Sequence, residues 1–224
     1  MKVMIFIDNS NFFNSIRQLK YGRRQDRIID YHKISKFVIS YLSKNPHYKN
    51  EKLTHIRTYY YDGEYTDTLL NRIKKHLSTI ENTSENQEDR HKIQEIITQT
   101  VSKMEAQKRA VEKFKDHYFF EVRLKPLQYG DAGIFQKGVD VQLAVDLVSN
   151  AYLNNYDVAV LFSGDIDLYE SIKSVKHLGK HVIIFSHINL MSDKMIEICD
   201  FYKDIYRLED SQLDEFTHIF ENRP

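Results

Sequence analysis

Four acidic residues stand where a carboxylate could bind a cation. They are Asp8 in the stretch FIDNSN, Asp140 in KGVDVQLAVDL, and Asp165 and Asp167 in LFSGDIDL. Carboxylates brought together repel one another and raise each other's pKa unless a cation neutralises their charge. Mg²⁺ prefers oxygen ligands and commonly binds a few carboxylates together with the phosphates of a substrate. The residue types therefore indicate a divalent-metal site that could activate water against a phosphodiester.

Each acid, taken alone, also has a structural explanation. Asp8, Asp165 or Asp167 could cap the helix that follows it, because an aspartate oxygen accepts a hydrogen bond from a backbone N–H at a helix start. Asp140 falls in the first turn of a predicted helix, where an acid stabilises the helix by about 0.3–1 kcal/mol. The metal interpretation depends on whether the fold brings the carboxylates together.

The elements that must position these acids can be predicted from hydrophobic patterns. Apolar runs predict strands at Val3–Ile7, Ile56–Tyr61, Val158–Phe162 and Val182–Phe185, with Phe119–Leu124 as a weaker fifth. Helical patterns lie between them, at Asn11–Tyr21, Asp30–Leu42, Asp67–Leu77, Val139–Leu153 and Tyr169–Leu178. This alternation predicts an α/β fold with a doubly wound, mainly parallel sheet. Ligands of such sheets bind beyond the carboxyl ends of the strands.

The three motifs, in this order, resemble the NYN-domain branch of the PIN-like ribonucleases, over about 1–62 and 117–190. The resemblance implies a PIN-like fold and a metal-dependent ribonuclease that uses Mg²⁺ or Mn²⁺ to hydrolyse RNA. It implies that Asp8, Asp140, Asp165 and Asp167 bind the metal, and that Asn11 also serves the catalytic site. The family usually has Phe after the last of these acids, where this chain has Leu168. We expect this apolar exchange to leave the chemistry unchanged.

Several neighbouring residues are predicted to support the site or to contact the substrate. Asp146 lies six residues beyond Asp140, about 120° away around a regular helix, which favours a supporting role over direct ligation. Asn9 is predicted to stabilise the turn after the first strand. The predicted substrate contacts are Lys137, Arg23, Arg24 and Ser163, and Ser163 could instead hydrogen-bond a neighbouring aspartate or simply begin the turn.

Residues 66–117 exceed what one crossover helix requires, and we interpret them as a helical hairpin inserted into a single domain over 1–224. The polar stretch 81–92 predicts a solvated loop or joint, and Ile93–Phe114 predicts a second helix. We expect the apolar face of that helix to pack on the hairpin's first helix. A homodimer or partner seam and the selection of RNA are the two alternatives.

Composition sets limits on partners and location. Lys plus Arg equals Asp plus Glu at 32 each, so an RNA partner, single-stranded or structured, must be held locally. One cysteine excludes an intramolecular disulfide, and no run of about 18 apolar residues occurs, so we expect a cytoplasmic protein without membrane contact. The alternative functions are a nucleic-acid-binding or scaffold module without turnover and a small-molecule phosphatase. The phosphatase is disfavoured because Ser10 stands where its Asp-x-Asp motif needs a second acid.

Overall fold

The structure is a computed structural model that describes residues 1–22, 26–83 and 87–219. The strands in these ranges are β1 (Lys2–Asp8), β2 (Arg27–Ile29), β3 (Thr54–Glu64), β4 (Phe120–Pro126), β5 (Gln128–Gly130), β6 (Gly133–Phe135), β7 (Val158–Phe162), β8 (His181–Ser186), β9 (Phe201–Asp204) and β10 (Thr217–Ile219). The α-helices are α1 (Asn9–Gln18), α2 (Ile34–Ser43), α3 (Asp67–Thr83), α4 (Gln87–Phe114), α5 (Val139–Tyr152), α6 (Tyr169–His177), α7 (Asp193–Ile198) and α8 (Asp210–Asp214).

A six-stranded sheet in the order β4-β3-β1-β7-β8-β9 is the centre of the fold. β1 pairs in parallel with β3 and with β7, and the pairs β7–β8 and β8–β9 are also parallel. Helices flank this sheet, so the predicted α/β fold class with a mainly parallel sheet is confirmed. Because the carboxyl ends of β1 and β7 are neighbours, the residues that follow these two strands emerge at one edge.

Side chains bury both faces of the sheet, which explains why its strands are continuously apolar. Phe162 of β7 packs against the ring of Phe12 in α1, with 4.5 Å between the ring centres. Phe6 of β1 contacts the ring of Tyr156 at 5.8 Å. Ile7, the residue next to Phe6, is the register partner of Phe162, and successive side chains of a strand point to opposite faces. Phe12 and Tyr156 therefore cover opposite faces.

Within the described residues, the chain divides into two compact units. The first comprises Met1–Tyr61, Phe119–Glu121 and Asp140–Pro224, and the second comprises Asp62–Tyr118 and Val122–Val139. The prediction of a single domain over 1–224 stays a prediction. No helix in the described ranges is both long enough and apolar enough to span a membrane.

The second unit contains the predicted helical hairpin. Its buried core consists of Leu69 and Ile73 of α3, Ile93 of α4 and Tyr129 of β5. Partly buried residues of both helices pack against that core, among them Leu77, Ile96 and Ile97. This confirms the expectation that the apolar face of α4 packs on the hairpin's first helix.

The predicted loop at 81–92 is wrong for most of its length. α3 continues to Thr83 and α4 begins at Gln87, while residues 84–86 lie outside the described ranges. The stretch lacks apolar residues but is rich in Glu, Gln, Lys and Arg, which favour helices. Ion pairs four residues apart add to this stability, as between Lys92 and Glu88 at 2.8 Å.

Candidate metal centre

Asp8 is the last residue of β1 and also the N-cap of α1. Its side chain is only 4% exposed, and both of its oxygens accept hydrogen bonds. Oδ1 accepts from the Ser10 hydroxyl at 2.9 Å and from the backbone N–H of Asn11 at 3.2 Å. Oδ2 accepts from the Ser163 hydroxyl at 3.1 Å. The carboxylate therefore has a fixed orientation at the carboxyl edge of the sheet.

Asp165 is positioned by the loop that leaves the neighbouring strand β7. Its backbone N–H donates to the Ser163 hydroxyl oxygen at 3.2 Å, so one serine contacts both Asp8 and Asp165. The Asp165 carboxylate in turn accepts a hydrogen bond from the backbone N–H of Asp167 at 3.0 Å. Asp165 thereby caps the short 3-10 turn over Ile166–Leu168.

Asp140 reaches the site from α5, in the first turn of that helix. Gly138 precedes the helix with a φ of +80°, a conformation that glycine adopts without the steric cost paid by other residues. Asp140 is partly exposed, as is Asp165, whereas Asp8 is buried.

The structure brings together the carboxylates of Asp8, Asp140 and Asp165. One oxygen from each lies within 4.8 Å of the others. Ligand oxygens on opposite sides of Mg²⁺ are about 4 Å apart, because each Mg–O distance is about 2.0–2.1 Å. Three carboxylates at this spacing are a donor set that fits Mg²⁺ or Mn²⁺.

The fourth predicted acid, Asp167, does not join this group. Its side chain is exposed, and its carboxylate is outside the set of oxygens that lie within 4.8 Å of one another. It is still close enough to contribute to raising the pKa of Asp140. Direct ligation of the metal by Asp167 stays a prediction.

The pKa values of two of the acids are raised, mainly by burial and in part by the charge of neighbouring acids. Burial raises the pKa of Asp8, and the charge of Asp165 raises it further, against the lowering effect of the hydrogen bonds to Asn11, Ser10 and Ser163. The pKa of Asp140 is also raised, first by burial and then by the charges of Asp165, Asp8 and Asp167. Such mutual repulsion is what a bound cation would relieve.

Asn11 connects the two strand-end loops. Its side-chain oxygen accepts a hydrogen bond from the backbone N–H of Gly164 at 2.9 Å and one from the Ser186 hydroxyl at 3.5 Å. Gly164 is itself tightly enclosed, because a Cβ atom at this position would lie 2.3 Å from the carbonyl oxygen of Leu190. Asn11 therefore holds the loop that carries Asp165, which supports a positioning role for the residue predicted to serve the catalytic site.

The two predicted supporting residues have identified partners. Asp146 accepts a hydrogen bond at 2.9 Å from the hydroxyl of Tyr61, a fully buried residue that is the register partner of Asp8 in β3. Asp146 is not among the grouped carboxylates, so its contact ties α5 to the sheet beside the site. Asn9 accepts a hydrogen bond from the Tyr31 hydroxyl, which links the start of α1 to the turn before α2.

Two of the four predicted substrate contacts lie in the described residues. Ser163 is completely buried and its hydroxyl donates to Asp8, which is the alternative of a hydrogen bond to a neighbouring aspartate, and its contact with substrate stays a prediction. Lys137 is exposed. Arg23 and Arg24 lie outside the described residues.

The sequence interpretation missed Ser10, which contacts Asp8 more closely than Ser163 does. The stretch FIDNSN contains a signal for it. A serine two residues after an N-capping aspartate lies in the first helical turn, close to the capping carboxylate.

Comparisons with known proteins agree with this architecture. The family model described as NYN domain matches residues 2–206. No curated protein matches the chain. A crystal structure of a protein of unknown function from Vibrio parahaemolyticus has a TM-score of 0.50 at 18% identity, covers 97% of this chain and 96% of its own, and supports the fold alone. A proposed UDP-N-acetylglucosamine 2-epimerase from Listeria monocytogenes has a TM-score of only 0.35 at 8% identity, over 91% of this chain and 39% of its own, and carries no argument.

Proposed function

Because the chain belongs to the NYN domain family, we propose that it is a metal-dependent ribonuclease. The observation that carries the proposal is the set of three carboxylates, from Asp8, Asp140 and Asp165, at the carboxyl edge of the sheet. A structural explanation by capping accounts for Asp8 and Asp165 but not for Asp140, which approaches from another helix. Bringing three acids together has an electrostatic cost that a metal site explains.

In this proposal Asp8, Asp140 and Asp165 bind Mg²⁺ or Mn²⁺. When bound, such a cation supplies an activated water and neutralises charge that develops on a phosphodiester. Ser10 and Ser163 hold the two oxygens of Asp8 in place.

The exposed Asp167 has a different role in the proposal. Its carboxylate is accessible to solvent, so it can accept hydrogen bonds from water or from a substrate hydroxyl near the three ligands. Its backbone N–H meanwhile fixes one oxygen of Asp165.

The proposed substrate is RNA that offers accessible single-stranded phosphodiesters. The chain has no net charge, so its affinity must come from a few cations near the site, of which the exposed Lys137 is one candidate. The rings of Tyr59, Tyr60 and Tyr61 are all buried, so they are not available to stack on an RNA base.

Incubation of the purified protein with end-labelled single-stranded RNA tests the proposal. Cleavage should require Mg²⁺ or Mn²⁺, stop with EDTA, and disappear in Asp165→Asn purified in parallel. The variant controls for a contaminating ribonuclease, because a contaminant would cleave in both preparations. Assays with single-stranded DNA and a small phosphomonoester define the substrate class.

Three outcomes would contradict the proposal. Cleavage that persists in EDTA would exclude the metal mechanism. Tight RNA binding without cleavage under any divalent cation would establish a binding module. Release of phosphate from the phosphomonoester, with internal RNA bonds left intact, would establish a phosphatase.

A further inference from the structure

An exposed aromatic ring lies on α1, one helical turn beyond the serine that contacts Asp8. Ser10, Phe13 and Arg17 recur at spacings of three and four residues, so they share one face of this helix. The Phe13 side chain is 48% exposed, and the guanidinium carbon of Arg17 lies 5.7 Å from the centre of its ring. The opposite face of α1 is buried through Phe12, Ser15 and Ile16.

The local contacts of this pair do not account for the exposed ring. An aromatic–cation pair four residues apart stabilises a helix only slightly, and Arg17 already has a favourable place in the last turn of α1. Within the described ranges, Arg17 is exposed and forms no salt bridge. Its charge is therefore available to a ligand.

The position of the pair relative to the acids indicates which ligand. Ser10, at one end of the shared face, donates to Asp8, and the helical rise of about 1.5 Å per residue places Phe13 only about 4–5 Å further along the axis. A strand that has one phosphate at the acids and follows this face of α1 would reach Phe13 within one nucleotide or two. Arg17 lies about 10 Å beyond Ser10 along the same axis and supplies positive charge on the helix face that begins at the acids.

We propose that Phe13 and Arg17 form a base-stacking subsite for a single-stranded RNA nucleotide that flanks the scissile phosphate. This inference depends on the proposed ribonuclease function. Bases stack on aromatic rings with little regard to sequence, and an arginine guanidinium adds a cation–π contact and pairs well with phosphate. The subsite therefore fixes the position of the RNA strand relative to the acids and does not select a base sequence.

The test removes one base and one ring, separately and together. A series of RNA oligonucleotides carries a single abasic nucleotide at successive positions. Binding is measured by fluorescence anisotropy in EDTA, where the proposed metal chemistry is stopped, and relative kcat/KM by competition in Mg²⁺. The proteins are the wild type, Phe13→Leu, Arg17→Lys and the control Tyr152→Leu, which removes another exposed aromatic ring, at the end of α5.

For the wild type, loss of the base at one position should weaken binding by about 5- to 150-fold. In Phe13→Leu the same abasic substitution should have no further effect, because the ring that stacked on the base is gone. Arg17→Lys keeps the charge but not the planar group, so it should reduce the penalty only in part. Tyr152→Leu should behave as the wild type.

A second readout needs no variant. 2-Aminopurine placed at the sensitive position should be quenched on binding, and at more distant positions it should not. An equal abasic penalty in the wild type and Phe13→Leu, or no position-specific quenching, would overturn the subsite while leaving RNA cleavage, and hence the proposed function, intact. Absence of any RNA binding or cleavage by the wild type would overturn both.

Discussion

At the scale of single residues, Asp8 has two roles that can be separated experimentally. It caps α1 through Oδ1, and it is the buried member of the three carboxylates. Asparagine keeps an oxygen that can accept from Ser10 and from the backbone of Asn11, and it is as good an N-cap as aspartate. The Asp8→Asn substitution should therefore remove the charge and preserve the cap.

We expect Asp8→Asn and Asp165→Asn each to reduce RNA cleavage by more than about 100-fold, since even residues behind metal ligands contribute about 10- to 100-fold. Without metal, both variants should be as stable as the wild type or more stable, because repulsion among the acids is reduced. Added Mg²⁺ should raise their melting temperature less than it raises that of the wild type. Thermal unfolding with EDTA and with Mg²⁺ measures both effects.

Asp167→Asn is the matched control for these variants. Its carboxylate is exposed and outside the group of three, so its loss should reduce cleavage less and leave most of the Mg²⁺ stabilisation in place. If Asp8→Asn and Asp165→Asn unfold instead, the acids act as structural caps. If Mg²⁺ no longer raises the melting temperature of Asp167→Asn at all, Asp167 is a metal ligand as important as Asp8 and Asp165.

The raised pKa values of Asp8 and Asp140 predict how stability depends on pH without metal. The native state holds these protons more tightly than the unfolded chain, whose carboxyl groups titrate near 3.8. In the window above that value the native state binds more protons, so its stability falls as pH rises. In EDTA, the stability advantage of Asp8→Asn over the wild type should be full near pH 7 and should disappear below about pH 4.

Urea unfolding of the wild type and Asp8→Asn between about pH 4 and pH 7 measures the difference in their free energies of unfolding. The titration of groups that both proteins share largely cancels in this difference. Mg²⁺ affinity of the wild type should increase with pH, since protons compete for the same oxygens. An advantage of Asp8→Asn that stays constant with pH would show that ionisation of Asp8 costs the native state nothing.

At the scale of elements, the loop after β7 is tightly packed at Gly164. Gly164→Ala would place a Cβ atom 2.3 Å from the carbonyl oxygen of Leu190 and 2.8 Å from the Ser186 hydroxyl. The loop would have to shift, carrying Asp165 with it. We expect a loss of about 1–3 kcal/mol in the free energy of unfolding, as for other overpacked positions, and a Mg²⁺ affinity weakened by about 10-fold or more.

Asn11→Ala tests the same loop without adding volume, because it removes the acceptor of the Gly164 N–H. Like Gly164→Ala, Asn11→Ala should weaken Mg²⁺ binding, although it retains every acid. Gly130→Ala is the control, since a Cβ there would approach only the Phe135 ring at 3.3 Å. Isothermal titration with Mg²⁺ compares the three variants, and unchanged affinity in Asn11→Ala would show that the loop is held by other contacts.

Most elements could be predicted from the sequence, and the errors have physical causes. Val158–Phe162 was predicted at its exact bounds because a strand buried on both faces is apolar throughout. β9 was missed because FYKD ends in two charged residues, and Asp204 is accommodated by accepting hydrogen bonds from the backbone of neighbouring turns. Hydrogen-bond partners of this kind cannot be predicted from the hydrophobicity of the strand itself.

For the site, the acids could be identified from strand ends and motif order, but their exact grouping could not. Which carboxylates meet depends on loop geometry, and this geometry turns Asp165 towards Asp8 while Asp167 faces solvent. The contact of Asp146 with Tyr61 joins residues 85 positions apart in the chain, and periodicity could indicate only that Asp146 points away from Asp140.

At the scale of the whole molecule, the balance of charge limits how RNA can be held. Lys plus Arg and Asp plus Glu are equal, and the long helix α4 pairs cations with its own acids, Lys92 with Glu88 and Arg109 with Glu105. Cations neutralised in this way add little to a field that attracts RNA. The proposed ribonuclease should therefore bind its substrate through few phosphate contacts.

The dependence of binding on salt measures the number of those contacts. For single-stranded nucleic acid, the slope of log Kobs against log salt is about −0.7 for each phosphate neutralised. Two or three contacts, with Lys137 as one of them, predict a slope of about −1.4 to −2.1, measured in EDTA to exclude competition by Mg²⁺. Lys137→Ala should reduce the slope by about 0.7, whereas Lys115→Ala should not, because Lys115 is paired with Glu112. A wild-type slope of about −5 would require about seven contacts, and RNA would then be held by an extended basic surface and not locally.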